Sequence, residues 1–262
     1  MTRHLLIAIV AIVLAASSAH VRAQGRQGGR GRGAAAAPAA PVTPRTQAPI
    51  DITGYWVAII SEDWRWRMVT PAKGDFPSIP MTPEAEKVAD AWNPAKDEAA
   101  GEACRAYGAP GLMRGPVRLH ITWADDKTLK IDSDYGTQTR LLAFGARPAS
   151  PAPRSWQGTS TAEWIISGGG RGRGAQRAGS LKSVTTNLRP GYLRKNGVPY
   201  GANAVFTEYF DLMKEDNGDQ YLVDTSVVED ATYLQLPWMT AIHFKKEPDG
   251  SKYDPTPCDA RF

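Results

Sequence analysis

The chain has 262 residues, of which 42% are hydrophobic, enough for one large domain or two small ones. The formal net charge of +4 is misleading, because the first 50 residues contain six arginines and no acidic residue. The rest of the chain carries 25 basic against 27 acidic side chains, a net charge of −2. This balance excludes a basic surface of the kind that binds nucleic acid.

The N-terminus has the three parts of a secretory signal peptide. Arg3 and His4 form a short positive start, and residues 5–16 form an unbroken apolar run. Val21-Arg22-Ala23 then places small side chains at the two positions that signal peptidase reads, which predicts cleavage near Ala23. The apolar run is shorter than the span of about 20 residues that a bilayer requires. We therefore predict a secreted or periplasmic protein without stable membrane insertion.

Two low-complexity segments follow from composition. Residues 24–49 are mainly Gly, Ala, Pro and Arg, and they cannot bury enough apolar surface to offset the entropy lost on ordering. We expect this segment to be a disordered tether, with a single folded domain over residues 50–262. The Gly/Arg-rich stretch 168–179 is predicted to be a flexible loop of that domain.

The folded part contains two cysteines, Cys104 and Cys258. In an oxidising compartment, an even number of cysteines indicates a disulfide framework, so we predict a bond between them. It would join the segment after the first helix to the C-terminus.

The N-terminal third of the domain mixes strand and helix signals. Residues 54–60 predict a strand, and the alternating run 62–69 predicts its continuation, with Trp64 and Trp66 on one face. Thr82 followed by Pro83 is typical of a helix start, which predicts a helix to about residue 91. A second helical piece is expected at about 97–107.

From residue 117 onward the hydrophobic pattern has period two, which indicates β-strands. The predicted strands are 118–123, 128–133, 137–144, 159–166, 180–188, 204–212, 220–228 and 238–245. We therefore predict a mainly β fold, an antiparallel barrel of about eight to ten strands with one or two short helices near the N-terminus.

A set of ordered motifs lies within this β-rich region. They are Thr139-Arg140, Trp156-Gln157-Gly158-Thr159-Ser160, Thr207-Glu208-Tyr209-Phe210 and the segment from Glu229-Asp230 through Tyr233 to Pro237-Trp238. Their order resembles that of a family of secreted bacterial proteins without an assigned activity. Those relatives have a Pro-His-Ser run before the Glu-containing strand, where this chain has Pro199-Tyr200-Gly201.

A second resemblance is to lipocalins, on three residues. Gly54-Tyr55-Trp56 is similar to their Gly-x-Trp signature, in which the Trp closes the base of an eight-stranded barrel. The resemblance implies a barrel with a cavity for one small ligand.

Few residues in the sequence can carry catalysis. After signal cleavage only His120 and His243 remain, so a three-histidine metal site is impossible, and no nucleophile elbow or phosphate-binding loop is present. We predict neither a metal nor a cofactor. Nothing singles out one serine for a catalytic triad.

Glu208 is the most unusual side chain of the predicted sheet. It shares a strand face with Ala204, Phe206 and Phe210, so it must be paired, neutralised or hydrogen-bonded. Arg140 is the natural partner, since it also lies between apolar neighbours. The pair can be a structural ion pair inside the barrel. Alternatively, Glu208 is a general acid or base and Arg140 binds an anionic or carbonyl group.

Three functions are compatible with this sequence. The first is an exported, monomeric protein that binds a small, largely apolar molecule, the second a cofactor-independent hydratase, isomerase or lyase, and the third an envelope structural protein. For the first, we predict six ligand-binding residues: Trp64, Trp66, His120, Trp156, Trp164 and Tyr209. A hollow barrel favours binding or catalysis, and a solid one favours the structural protein.

Overall fold

A computed structural model describes residues 41–145, 153–167 and 178–261. Nine of its strands close into a barrel in the order β1-β11-β10-β9-β6-β5-β4-β3-β2, and β7 pairs with β8 in a separate hairpin. The strands are β1 (Gly54–Ile59), β2 (Arg118–Asp125), β3 (Thr128–Ser133), β4 (Gln138–Phe144), β5 (Thr159–Ser167), β6 (Ala178–Thr186), β7 (Gly191–Tyr192), β8 (Pro199–Tyr200), β9 (Val205–Lys214), β10 (Gln220–Glu229) and β11 (Trp238–Glu247). The predicted barrel of eight to ten strands is confirmed. The hairpin of β7 and β8 lies in a segment that was predicted to be a loop.

One strand pair corrects the expectation of a wholly antiparallel barrel. β4 and β5 run parallel, with Leu142 opposite Ser160, whereas every other pair in the barrel is antiparallel. The segment before β5 lies beside the start of β4, where Gln157 Nε2 donates a hydrogen bond to Gln138 Oε1 at 3.0 Å, so β5 runs in the same direction as β4.

Within the described residues, the helices all lie between β1 and β2. They are α1 (Trp64–Arg67), α2 (Pro83–Asp90), α3 (Pro94–Ala99), a 3-10 helix (Ala103–Tyr107) and α4 (Ala109–Leu112). Thr82 caps α2 as predicted, because its Oγ1 accepts a hydrogen bond from Ala85 N at 3.2 Å. The expectation of one or two helices is too low.

The predicted strand over residues 62–69 is wrong, because Trp64–Arg67 is a helical turn. Asp63 has a positive φ of 53°, which turns the chain out of the extended conformation. The helical period then buries Arg67 and leaves Trp64 62% exposed, so the two tryptophans do not form a core face.

Two apolar clusters fill the barrel and define its ends. We name the end where β1 begins the open end and the end where β1 finishes the closed end. The open-end cluster includes Trp56, Leu119, Ile121, Ile131, Leu142, Phe210, Leu222, Ile242 and Phe244. The closed-end cluster joins Phe206, Val228 and Trp238 of the barrel to Ala85, Ala89, Ala109, Leu193 and Val198 of the covering segments. The helices and the β7–β8 hairpin therefore cover one end only.

The predicted disulfide is confirmed. Cys104 of the 3-10 helix is bonded to Cys258, with 5.1 Å between the Cα atoms. The bond links residues 154 positions apart, so it holds the C-terminal segment against the helical cover of the closed end.

The N-terminal boundary of the domain lies earlier than predicted. Thr43 is buried, and Pro44 O accepts a hydrogen bond from Trp164 Nε1 at 2.8 Å. Residues 43–49 therefore belong to the fold, because a strand tryptophan supplies the partner that composition could not reveal. The predicted signal peptide, residues 24–40 and residues 168–177 of the predicted loop lie outside the described residues, whereas Ala178 and Gly179 belong to β6. No helix in the described part of the chain is long and apolar enough to cross a membrane.

Candidate functional site

A layer of polar side chains separates the two apolar clusters inside the barrel. On β9, Glu208 lies between Phe206 of the closed-end cluster and Phe210 of the open-end cluster. Its register partners, Ser183 on β6 and Ser226 on β10, are also buried. Strand alternation directs all of them inward, so the polar groups form one layer across the interior.

Arg140 and Glu208 form the centre of this layer, as predicted. Arg140 Nη1 donates to Glu208 Oε1 at 2.7 Å, and Nη2 donates to Oε2, so the two side chains form a bidentate pair. Both side chains are fully buried. Burial alone lowers the pKa of Arg140, but the adjacent Glu208 carboxylate raises it above its ordinary value. Arg140 therefore stays charged although it is buried.

Asp224 is a second buried acid in the layer, and it was not singled out from the sequence. Neither of its carboxyl oxygens has a hydrogen-bond partner among the described residues. Burial, and then the negative charge of Glu208, raise the pKa of Asp224 well above its usual value. Asp224 therefore keeps its proton to a higher pH than an ordinary aspartate does, because an isolated buried carboxylate is costly.

The interior pair is closed to substrate. Glu208 has no exposed surface, and both its oxygens are occupied by Arg140. Arg140 and Asp224 are buried as well. The geometry therefore favours the structural interpretation of this pair over an acid-base role.

A cavity of about 700 Å³ lies at the open end of the barrel. It is lined by Arg45, Ala48, Pro49, Ile50, Asp51, Ile52, Thr53, Thr122, Trp123, Leu129 and Trp164. Its volume falls within the range of about 300–1,000 Å³ that is typical of small-molecule sites. The middle of the barrel is thus filled, whereas its open end contains a cavity. This arrangement is intermediate between the hollow barrel and the solid barrel that the sequence analysis considered.

Aromatic rings form one wall of this open-end cavity. Trp123 on β2 and Trp164 on β5 line the cavity, with ring centroids 6.4 Å apart. Phe144 on β4 is not part of the lining but packs against both rings, 5.7 Å from Trp123 and 5.1 Å from Trp164. Each comes near the end of its strand and faces inward by alternation. Trp164 was a predicted ligand-binding residue. Trp123 was missed, although its position in the inward row after Leu119 and Ile121 was a usable signal.

Polar groups lie on the opposite side of the cavity, in the segment before β1. Asp51 Oδ1 accepts hydrogen bonds from Thr53 N at 3.0 Å and from Thr53 Oγ1 at 2.7 Å. Burial alone raises the pKa of Asp51, but these bonds lower it below its ordinary value, so the carboxylate is charged. Arg45 supplies a positive group that is only 3.9 Å from the exposed Asp126. The cavity thus has an aromatic wall and a charged rim.

The other predicted ligand-binding residues do not meet in this cavity. His120 stacks on Tyr55 outside the barrel, with ring centroids 4.1 Å apart. Tyr209 follows Glu208 along β9, so alternation places it on the outer face. The sequence placed these residues on strands correctly, but the cavity lies at the end of the barrel and not along its outer wall.

The three remaining tryptophans lie towards the closed end. Trp64 is exposed on α1, and Trp156 is covered by the guanidinium of Arg189 at 4.3 Å from its ring. Trp66 packs against Arg194, whose guanidinium carbon is 5.1 Å from the ring centroid. These positions correct the prediction that the tryptophans share one binding site, because α1 and the segment before β5 cover the barrel from outside.

Neither a metal site nor a similar protein identifies a ligand for the open-end cavity. Within residues 41–145, 153–167 and 178–261, no group of three or more His, Cys, Asp or Glu side chains could hold a metal ion. Comparisons with protein-family models, curated proteins and solved structures find no match to this chain.

Proposed function

We propose that this chain is an exported protein that binds a small, largely apolar molecule in the open-end cavity. The observation that carries the proposal is the aromatic wall that Trp123 and Trp164 provide to a cavity of about 700 Å³. Concave sites with mostly apolar walls and a few polar groups are typical of small-ligand binding.

The lining indicates the chemistry of the ligand. Trp123, Trp164 and Leu129 offer a broad apolar contact, whereas Arg45 and Asp51 place charges at the rim. A flat or ring-containing molecule with one polar end would stack on the indoles and keep its polar end near the rim. Aromatic side chains bury about 150–250 Å² each, so two of them provide most of the contact.

Export is supported by two separate features. The N-terminal sequence has the charge, apolar run and cleavage site of a signal peptide. The Cys104–Cys258 disulfide is of the kind that persists in oxidising compartments. We therefore place the binding function in the periplasm or outside the cell.

The two other functions have less support. A hydratase, isomerase or lyase needs an accessible acid-base group, and Glu208 is fully buried and held by Arg140. A purely structural role fits the filled middle of the barrel but gives no reason for the open-end cavity. If the binding test below fails, the structural function is therefore favoured.

The test uses a neutral apolar fluorescent probe, N-phenyl-1-naphthylamine, titrated into the secreted chain. We expect saturable enhancement of probe emission. Trp123→Ala should weaken binding about tenfold or more, which corresponds to about 1.4 kcal/mol. Trp64→Ala is the matched control, because Trp64 is exposed at the other end of the molecule.

The comparison is made only between variants that circular dichroism shows to be folded. Equal affinity in the wild-type and Trp123→Ala chains would contradict the proposed site. Absence of saturable binding to the wild-type chain would favour the structural protein.

A further inference from the structure

Three arginines are buried together under the cover of the closed end. Arg67 ends α1, Arg114 follows α4, and Arg194 lies in the turn between β7 and β8. Their exposed fractions are 6%, 7% and 4%. Buried arginines are normally paired with acids, so the balance of charge around them decides what the cluster can do.

The acids around the cluster leave Arg194 without a partner of its own. Arg114 Nη2 donates to Asp63 Oδ2 at 3.0 Å. Glu62 lies 4.0 Å from Arg67 and is more than half exposed. Asp75 also acts on Arg194, but its carboxylate is paired with Arg65 at 2.6 Å.

Arg194 is the most poorly satisfied of the three. None of its three guanidinium nitrogens has a hydrogen-bond partner among the described residues, and the guanidinium packs against the ring of Trp66. Arg67 Nε donates a hydrogen bond to Arg114 O at 2.8 Å, but Arg67 Nη2 has no hydrogen-bond partner within the described part of the chain. Leaving such donors buried and unpaired is costly, which points to a missing acceptor.

A small cavity lies where these donors meet. It is lined by Trp66, Arg67, Arg114, Tyr135, Arg194 and Lys195 with neighbouring backbone, and its volume is about 30 Å³. That space holds about one or two water-sized groups and excludes a bulky ligand. In the part of the chain described, every lining side-chain atom that is buried without a partner is a donor, including Trp66 Nε1.

The electrostatics agree with this geometry. Burial, and then the charge of Arg114, lower the pKa of Arg67 and of Arg194 to about 10. Burial also lowers the pKa of Lys195 to about 7. The arginines remain charged at neutral pH, and they repel one another unless a negative group enters.

We propose that Arg67, Arg114 and Arg194 form a binding site for a small monovalent carboxylate, which enters as a free ion or as the end of a slender molecule. A carboxylate matches the planar guanidinium fork in shape. One negative charge suits the cluster, since Asp63 already supplies another. The site is separate from the open-end cavity, so it does not depend on the function proposed for that cavity.

The test measures the melting temperature of the full secreted chain against sodium formate, with HEPES, a bulky sulfonate, keeping the ionic strength constant. We expect a saturable rise for the wild-type chain, because a ligand that binds only the folded state stabilises it. Arg194→Gln should lose the saturable rise. Without formate this variant should melt no lower than the wild type, because an unpaired buried charge has been removed.

Arg261→Gln is the matched control. It removes the same charge from an exposed residue whose partner is Glu98, and it should keep the wild-type response. A saturable response of Arg194→Gln equal to that of the wild type would overturn the proposal. So would a response to chloride as strong as the response to formate, because a guanidinium fork built for a planar oxyanion should prefer it.

Tryptophan fluorescence gives a second readout that does not require an Arg194 variant. Formate should change the emission of the wild-type chain at the concentrations that raise its melting temperature, because Trp66 contacts Arg194. That change should be absent from Trp66→Phe. No formate-dependent change in the wild-type chain by either readout would refute the site.

Discussion

The guanidinium of Arg140 and the carboxylate of Glu208 meet through two hydrogen bonds in the barrel interior, 68 residues apart in sequence. Their strands, β4 and β9, are not neighbours, because β5 and β6 lie between them. The pair therefore connects separate parts of the barrel wall across the interior. A buried pair of this kind fixes one arrangement of strands but does not by itself guarantee added stability.

We predict that Glu208→Ala lowers the free energy of unfolding by about 3–5 kcal/mol, because it leaves Arg140 buried without its counter-charge. The double variant Arg140→Met/Glu208→Leu should recover most of the loss, since both charges are then absent. Urea denaturation of the wild type, Arg140→Met, Glu208→Leu and the double variant measures the coupling. Additive losses in the double variant would show that the two side chains do not act as a pair.

Asp224 predicts a specific dependence of stability on pH. At a pH below about 4, where an unfolded aspartate ionises, both states hold the proton. At higher pH the unfolded state loses it while the native state keeps it, because burial and the charge of Glu208 raise the pKa of the native Asp224. Unfolding then releases a proton, so Asp224 makes the protein less stable as the pH rises, until the pKa of the native group is passed.

Asp224→Asn removes this effect, because asparagine has a similar shape and no proton to lose. Glu208 and Arg140 remain next to it. We expect the stability of the variant relative to the wild type to be constant at low pH. Above pH 4 it should increase by up to about 1.4 kcal/mol per pH unit. Urea denaturation at pH values from 3 to 8 would measure it. Parallel curves for the two proteins would mean that Asp224 has an ordinary pKa.

The N-terminal segment should stabilise the open end. A chain that begins at Val42 keeps the hydrogen bonds from Trp164 Nε1 to Pro44 O and from Arg45 N to Asp126 O, whereas a chain that begins at Ile50 loses both. Two net hydrogen bonds are worth about 2 kcal/mol. The shorter chain should therefore melt about 4–8 °C lower by calorimetry. Equal melting temperatures of the two chains would place the start of the domain at residue 50, as the amino-acid composition alone indicates.

The inward and outward faces of the strands could be predicted from sequence, because alternation is a local property. Glu208 and Arg140 were identified as carboxylate and partner in this way, and the structure confirms their contact. The same rule applied to the row Leu222, Asp224, Ser226 on β10 would have identified Asp224 as a second buried acid. Its omission reflects an unused signal in the sequence.

The cover of the closed end could not be predicted in the same way. The run from Trp64 to Met68 alternates like a strand, but the positive φ of Asp63 and the packing of Arg67 on Arg114 O make it helical. Arg67, Arg114 and Arg194 come from three separate segments without a periodic pattern. Their meeting depends on contacts between residues far apart in the chain.

The sequence by itself determined the number of strands, the side chains that face the barrel interior and the disulfide, since period-two patterns and paired cysteines are readable without coordinates. Only the tertiary structure decided which barrel end is covered, where a cavity remains and which arginines are buried together. The physical reason is that a strand's faces follow from its own backbone geometry, whereas the packing of loops and short helices on a barrel depends on partners that local sequence does not specify.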